Sequence, residues 1–306
     1  MGFGSGFGKV ILFNEHFVVH GVPAIVSAIS MKTTATAERT GGEFEFYDDR
    51  MATPGYKDDK MEHQRDSLKY IFDAMGLDQD GVRIGLAGDL YAASGVGASA
   101  ASCAAIARAL SDEFDLDFSD ENINRVAYEG ERGYHGSPSG IDNTAATFGG
   151  LIWFQKGSPN IMERMNLKRP VNIVMGNTGV VANTKAAVAG VQERKESFPE
   201  KYGKIFRSAE ELAIRGREAI KTFDLDALGG LMNENHRLLQ EIEVSNGDLD
   251  MLVDLARDEG AIGAKMTGGG LGGYMVALTP EDEVQENVAS AIEKKGFKVL
   301  RTKIGV

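Results

Sequence analysis

Where the glycines fall constrains this chain more than any other feature. There are 38 among 306 residues, against a usual share of roughly 7%. Four short stretches, 2–8, 95–97, 130–150 and 268–273, hold four, two, six and five of them, 17 in all. With only 7 prolines the chain stays far from low-complexity composition, so the glycine belongs to loops and sites of a folded protein. Clustering of this kind suits anion-binding loops, because glycine reaches positive φ and lets backbone N–H groups approach a ligand.

Charge and cysteine content narrow the function class. Subtracting 45 acidic from 33 basic residues leaves −12, which argues against a broad nucleic-acid or anionic-membrane partner but leaves a local anion site open. The single cysteine, Cys103, has no partner for an intrachain disulfide, and no Asn-x-Ser/Thr sequon occurs. The apolar stretch 17–29 is broken by His20, Gly21 and Pro23. These features read as a soluble cytoplasmic protein.

Along the chain, residues 9–19 predict a strand pair with Asn14, Glu15 and His16 in its middle, and 25–39 and 43–47 predict further strands. Residues 48–60 read as a charged loop. Helical spacing marks 61–75, closed by Gly76, and 98–110 is an alanine-rich helix whose small residues let neighbours come close. Ser119 caps a helix over 119–132. Past Trp153 come a strand at 171–175, helices at 186–196, 200–221, 224–242 and 248–257, a strand at 274–278, a helix at 281–295 and a strand at 297–304. This pattern predicts an α+β protein of two lobes, residues 1–168 and 169–306.

Three stretches carry chemistry. The loop Ser94, Gly95, Val96, Gly97, Ala98, Ser99 runs into the alanine helix, where free N–H groups and the helix dipole suit a phosphate and the Ser99 hydroxyl suits magnesium. The loose dinucleotide pattern Gly95-x-Gly97-x-x-Ala100 fits the same residues, as does a plain tight turn. Glu131 and Asp142 bracket a turn of glycine and proline that can bring both carboxylates to one pocket; a loop ending in a helix cap is the simpler reading. Residues 265–273, KMTGGGLGG, are too glycine-dense for an ordinary turn. Gly8-Lys9 lacks the other residues of a Walker loop, and His16 and His20 lack the remaining ligands of a zinc protease.

Together these stretches resemble the GHMP small-molecule kinases, and within them the mevalonate kinases of archaeal type. GKVILFNEHFVVHG (8–21), SGVGASAAS (94–102) and KMTGGGLGG (265–273) are similar to the three superfamily motifs. HGSPSGIDN (135–143), and NTGVVANTK (177–185) followed by VQERK (191–195), point to mevalonate kinases rather than galactokinases or homoserine kinases. Phe7, Asn14, Ala98 and Leu271 depart from the usual pattern.

The resemblance implies a ribosomal-S5-domain-2-like N-terminal lobe and a ferredoxin-like C-terminal lobe, with ATP and mevalonate between them. It implies Asp142 and Lys9 as the catalytic pair, Ser99 and Glu131 as holders of Mg²⁺, and residues 94–99 as the phosphate cradle. Glu15, His16 and Thr267 would contact mevalonate, and Gly268, Gly269 and Gly270 would line the transfer site. The implied activity is phosphorylation of the mevalonate 5-hydroxyl; a 3-kinase, a phosphomevalonate kinase and, more distantly, a dinucleotide-dependent oxidoreductase are the alternatives. No nucleic-acid or membrane partner is expected, and a homodimer is left open. The run at 2–8 belongs to a motif only through Gly8, and the rest reads as a flexible N-terminus.

Overall fold

The computed structural model describes residues 1–92, 95–180 and 184–306. In chain order the elements are β1 (Gly2–Phe13), a single 3₁₀ turn (Phe17–His20), β2 (Ala24–Arg39), β3 (Glu45–Asp48), α1 (Tyr56–Asp59), α2 (Met61–Met75), β4 (Val82–Gly88), α3 (Ala98–Glu113), α4 (Asp120–His135) and α5 (Ile141–Phe148). There follow β5 (Leu151–Gln155), β6 (Ile161–Met165), β7 (Val171–Asn177), α6 (Thr184–Ser197), α7 (Pro199–Thr222), α8 (Leu225–Glu241), α9 (Gly247–Asp258), β8 (Gly263–Thr267), β9 (Tyr274–Leu278), α10 (Asp282–Lys294) and β10 (Lys298–Ile304). No helix among the described residues is long and apolar enough to cross a membrane.

The chain forms two compact units, one of Met1–Lys9 with Ala28–Gly149, the other of Val10–Ser27 with Gly150–Val306. A single cut near residue 168 does not reproduce this interleaving. Ala24 to Ser27 pair with Phe154 to Leu151, and β5 pairs in turn with β6, so residues 150–165 join the second unit through hydrogen bonds that connectivity does not reveal.

In the first unit β4 lies between β2, antiparallel to it, and β3, parallel to it. Helices α2, α3, α4 and α5 pack on one another. Ile71, Phe72, Ile84, Leu86, Ile106, Leu110 and Val126 fill the core. The helix ends follow the expected chemistry: Ser119 accepts from the Asn122 N–H, and Gly76 closes α2 at φ 68°, a backbone state open to glycine.

The N-terminus is a strand, not the flexible tail expected. Methyl groups on Gly2, Gly4 and Gly6 would lie 2.2, 2.1 and 2.3 Å from the carbonyl oxygens of Ala109, Ala105 and Ala101. Two strand residues advance about 6.6 Å and four helical residues about 6 Å. Alternate glycines of β1 therefore meet every fourth residue of α3, and backbone packs on backbone. The glycine and alanine spacings were both visible in the sequence, but only their pairing gives them meaning.

The second unit contains an antiparallel sheet of order β10-β7-β9-β8. Counted along the chain that is fourth, first, third, second, with helices after the first and third strands, which is the ferredoxin-like arrangement. Helices α8 and α9 pack on β8, and α10 packs on β7 and β10. Asp224 and Asn246 cap α8 and α9 through the Ala227 and Leu249 N–H groups.

The expected strand pair over residues 9–19 does not form as such. Asn14 and His16 take φ of 72° and 62°, which end β1 at Phe13, and the apolar residues beyond make a 3₁₀ turn. Asn14 is buried, and its side-chain amide donates to the carbonyls of Pro23 (2.6 Å) and Ala209 (2.8 Å). Asparagine tolerates the left-handed region better than most residues, which accounts for its place where the related motif has glycine.

Candidate active site

In the first unit the site is built where β1 meets the start of α3. The Lys9 N–H donates to the Val96 carbonyl at 2.9 Å. Gly97 takes φ 71°, and a Cβ there would lie 2.6 Å from Lys9 Cγ, so the lysine stem can cross only a glycine. Past it, Lys9 Nζ stands 3.2 Å from Asp142 Oδ1, with 9% of the lysine side chain and 33% of the aspartate exposed. Asp142 lies in the first turn of α5, behind Gly140 at φ 88°. The simpler reading of residues 131–143, a loop ending in an aspartate at a helix cap, places the helix start correctly; the cap itself is Gly140, and Asp142 is in the first turn. The small Thr and Ala residues of α5 give little periodic signal.

Glu131, on α4, is 1% exposed. Burial, followed by the charge of Asp142, pushes its carboxyl up to about 8, against a lowering hydrogen bond from Ser99 and the charge of Lys9. Its Oε1 has no hydrogen-bond partner among the described residues. His135 Nε2 is 3.8 Å from Oε2. A buried carboxyl oxygen beside a serine hydroxyl is a hard oxygen donor set, and that set fits a divalent metal ion. Ser94 lies outside the described residues, as do 181–183 of the 177–185 stretch.

A cavity of about 730 Å³ opens beside Ser99. Phe44, Phe46 and Leu68 give it apolar wall, and Arg50, Tyr56, Lys57 and Lys60 give it polar and basic wall. Its volume suits a nucleotide-sized ligand. No motif marks these residues in the sequence, because they come from a strand, a charged loop and a helix. β4 ends at Gly88, well before Gly95, so among the described residues no strand runs straight into the glycines as a dinucleotide fold requires.

The second unit brings together Glu15, His16, Thr267 and the glycine run. Glu15 and Lys265 form a hydrogen-bonded ion pair, 1% and 0% exposed by side chain. Lys265 Nζ also donates to the Met266 carbonyl at 2.6 Å. Burial lowers the lysine's proton affinity and Glu15 opposes the shift. Glu15 Oε2 is left without a partner among the described residues. Lys265 belongs to a quoted motif but had no assigned role, since its partner is 250 residues away.

His16 Nε2 is 3.1 Å from the Gly269 carbonyl. Burial lowers its pKa to about 4, outweighing the Gly269 hydrogen bond that would raise it, so the ring is neutral near pH 7. A carbonyl only accepts, so Nε2 carries the proton and Nδ1, buried without a partner among the described residues, presents a lone pair. Thr267 Oγ1 donates to the Ile11 carbonyl at 3.0 Å. Gly270, at φ 72°, passes so close that a Cβ would lie 2.3 Å from the Val244 carbonyl oxygen and 3.3 Å from His16 Nε2. Leu271 holds φ 54°, and its N–H donates to the same carbonyl at 2.8 Å.

Residues 63–150 match the family described as GHMP kinases N terminal domain, and 217–298 the one described as GHMP kinases C terminal. The chain is 36% identical to the mevalonate kinase of Thermococcus sibiricus, over 97% of its own length and 94% of the relative's. With the mevalonate kinase of Pyrococcus abyssi the identity is also 36%, over 97% and 93%. Among solved structures it is similar to the L. major mevalonate kinase in complex with R-mevalonate, with TM-score 0.94, 36% identity and coverage of 99% and 96%.

Proposed function

The chain belongs to the GHMP kinases, in their mevalonate kinase branch, and from that membership we propose that it moves the γ-phosphoryl group of ATP to the 5-hydroxyl of mevalonate, releasing 5-phosphomevalonate and ADP. The observation that carries the chemistry is the Lys9–Asp142 pair, 3.2 Å apart, next to a glycine loop that opens a helix. The substrate rests on likeness to a kinase whose structure holds R-mevalonate.

Residues 95–99 cradle the β- and γ-phosphates with backbone N–H groups at the positive end of α3, and the adjoining cavity takes the nucleoside. Ser99 and Glu131 would hold the magnesium ion, which when bound neutralises phosphate oxygens. The C5 oxygen bonds to the γ-phosphorus as the bond to the bridging oxygen breaks, and that electron pair leaves with ADP. Asp142 accepts the hydroxyl proton, and the Lys9 ammonium steadies the oxygen as it becomes anionic. Glu15, His16 and Thr267 hold mevalonate, with His16 Nδ1 able to accept from a substrate hydroxyl. Gly268, Gly269 and Gly270 keep side chains out of the transfer path. We place the enzyme in the cytoplasm, with no nucleic-acid or membrane partner.

The test is a coupled ADP-release assay over mevalonate, phosphomevalonate, galactose and homoserine, with phosphorus NMR of the product. Rapid ADP release with mevalonate and a 5-phosphate resonance is expected. Absence of ADP with mevalonate sinks the proposal, and a 3-phosphate moves it to the neighbouring reaction. Ser99→Ala is expected to raise the magnesium concentration needed for half-maximal rate about tenfold, a loss typical of one charged-group contact. An unchanged magnesium curve removes Ser99 from the metal site.

A further inference from the structure

The phosphate-binding turn of α3 follows Gly95 and Gly97, at φ 98° and 71°, and glycines lend it no stiffness. Its position must come from neighbours. On one side the Lys9 N–H holds the Val96 carbonyl. On the other stands Arg50, 6% exposed, in a stretch the sequence presents as a charged loop. One edge of its guanidinium grips Asp48, with Nε to Oδ1 at 2.9 Å and Nη2 to Oδ2 at 2.7 Å. From the other edge Nη1 reaches Ser102 Oγ at 2.8 Å, Thr33 Oγ1 at 3.1 Å and the Ala98 carbonyl at 3.3 Å. Ser102 Oγ donates to the same Ala98 carbonyl at 2.8 Å. Ala98 opens the first turn of the helix beside Ser99 and Ser102 opens the second, and Asp48 and Arg50 line the cavity that reaches Ser99.

Burying an arginine–carboxylate pair is a costly way to hold a helix, and apolar residues of similar volume commonly do as well. Planar, directed hydrogen bonds provide orientation instead. The geometry points to Arg50 as a positioning residue for the phosphoryl donor: it fixes the first turn of α3 so that the Ser99 hydroxyl and the loop N–H groups face the phosphates, and Asp48 orients it. The inference rests on the nucleotide-site reading above. Lys57 Nζ, donating to the Asp48 carbonyl at 2.6 Å, braces the same corner.

Arg50→Lys keeps the charge but loses the two-edged fork. It is expected to raise KM for MgATP about tenfold or more, because a small misplacement of a catalytic element is expensive, while KM for mevalonate changes less than about twofold. The dissociation constant for MgADP, measured by titration without mevalonate, should rise in parallel. The double variant Thr33→Val with Ser102→Ala removes two acceptors without touching a charge, and should shift the same constants about threefold even if Arg50→Lys does not fold. Unchanged nucleotide constants, or equal rises in both KM values, overturn the proposal. If the wild-type protein binds MgADP but does not phosphorylate mevalonate, the functional reading falls, and the titration still decides the role of Arg50.

Discussion

Lys9→Met is expected to lower turnover about 10²–10³-fold, the usual contribution of one placed electrostatic contact to a developing oxyanion, with far smaller changes in KM. Methionine keeps the unbranched stem that crosses Gly97 and removes only the cation, so packing at the closest approach survives. Asp142 loses its partner but keeps a third of its side chain in solvent, so it stays hydrated and the fold is not burdened with an unpaired buried charge. Asp142→Asn should reduce turnover to a similar degree from the other side, removing the proton acceptor while preserving shape. Because the two act as a unit, the double variant should be little slower than either single one. Circular dichroism and melting curves like those of the wild type, alongside the lost activity, complete the expected result. A wild-type rate in either single variant overturns the assigned roles.

Glu131→Gln should abolish magnesium-dependent turnover and at the same time stabilise the metal-free protein. Burial, with help from the Asp142 charge, raises the carboxyl from 4.5 to about 8 in the folded chain. Below pH 4.5 folded and unfolded chains both carry the proton, and the residue contributes no pH dependence. Between 4.5 and 8 the unfolded chain has released the proton that the folded chain still holds, so stability falls as pH rises; above 8 the loss is complete and constant. Glutamine cannot ionise and still accepts the Ser99 hydrogen bond. With magnesium chelated, the variant should melt with the wild type near pH 4.5 and several degrees higher by pH 8, at roughly 2–4 °C per kcal/mol for a domain of about this size. Magnesium nucleotide should then restore the wild type preferentially. Parallel melting curves across that range would show that Glu131 is not held protonated.

What the sequence revealed of the site follows from how the chemistry is written. Backbone anion loops need glycines at fixed local spacing, so residues 95–97 and 268–270 stand out, and Lys9, Glu131 and Asp142 lie in or next to such loops. Helix ends were similarly legible through Ser119 and Gly76, whose signals are local. Residues that act through distant partners were not. Lys265 needs Glu15, and Arg50 needs Thr33, Asp48 and Ser102 together, before either has a meaning. Residues 14–16 misled because β-branched and aromatic neighbours predict strand, whereas Asn14 and His16 hold left-handed backbone that ends it. The interleaved units were hidden for a related reason: residues 24–27 join β5 by hydrogen bonding across more than a hundred positions.

The glycine stripe of β1 has a further consequence. Gly2, Gly4, Gly6 and Gly8 are interchangeable to the alanine face of α3, so sliding the strand by two residues would again lay three glycines over Ala101, Ala105 and Ala109. The stripe is therefore a ruler without a zero mark. The mark is Lys9: a slip of about 6.6 Å would put Ile11 opposite Val96 and Asp142, and Ile11 offers no ammonium. Misregistered molecules would keep the glycine–alanine contact with α3 and have no catalytic pair. Among folded molecules, the fraction that turns over substrate then reports the alignment of the first strand.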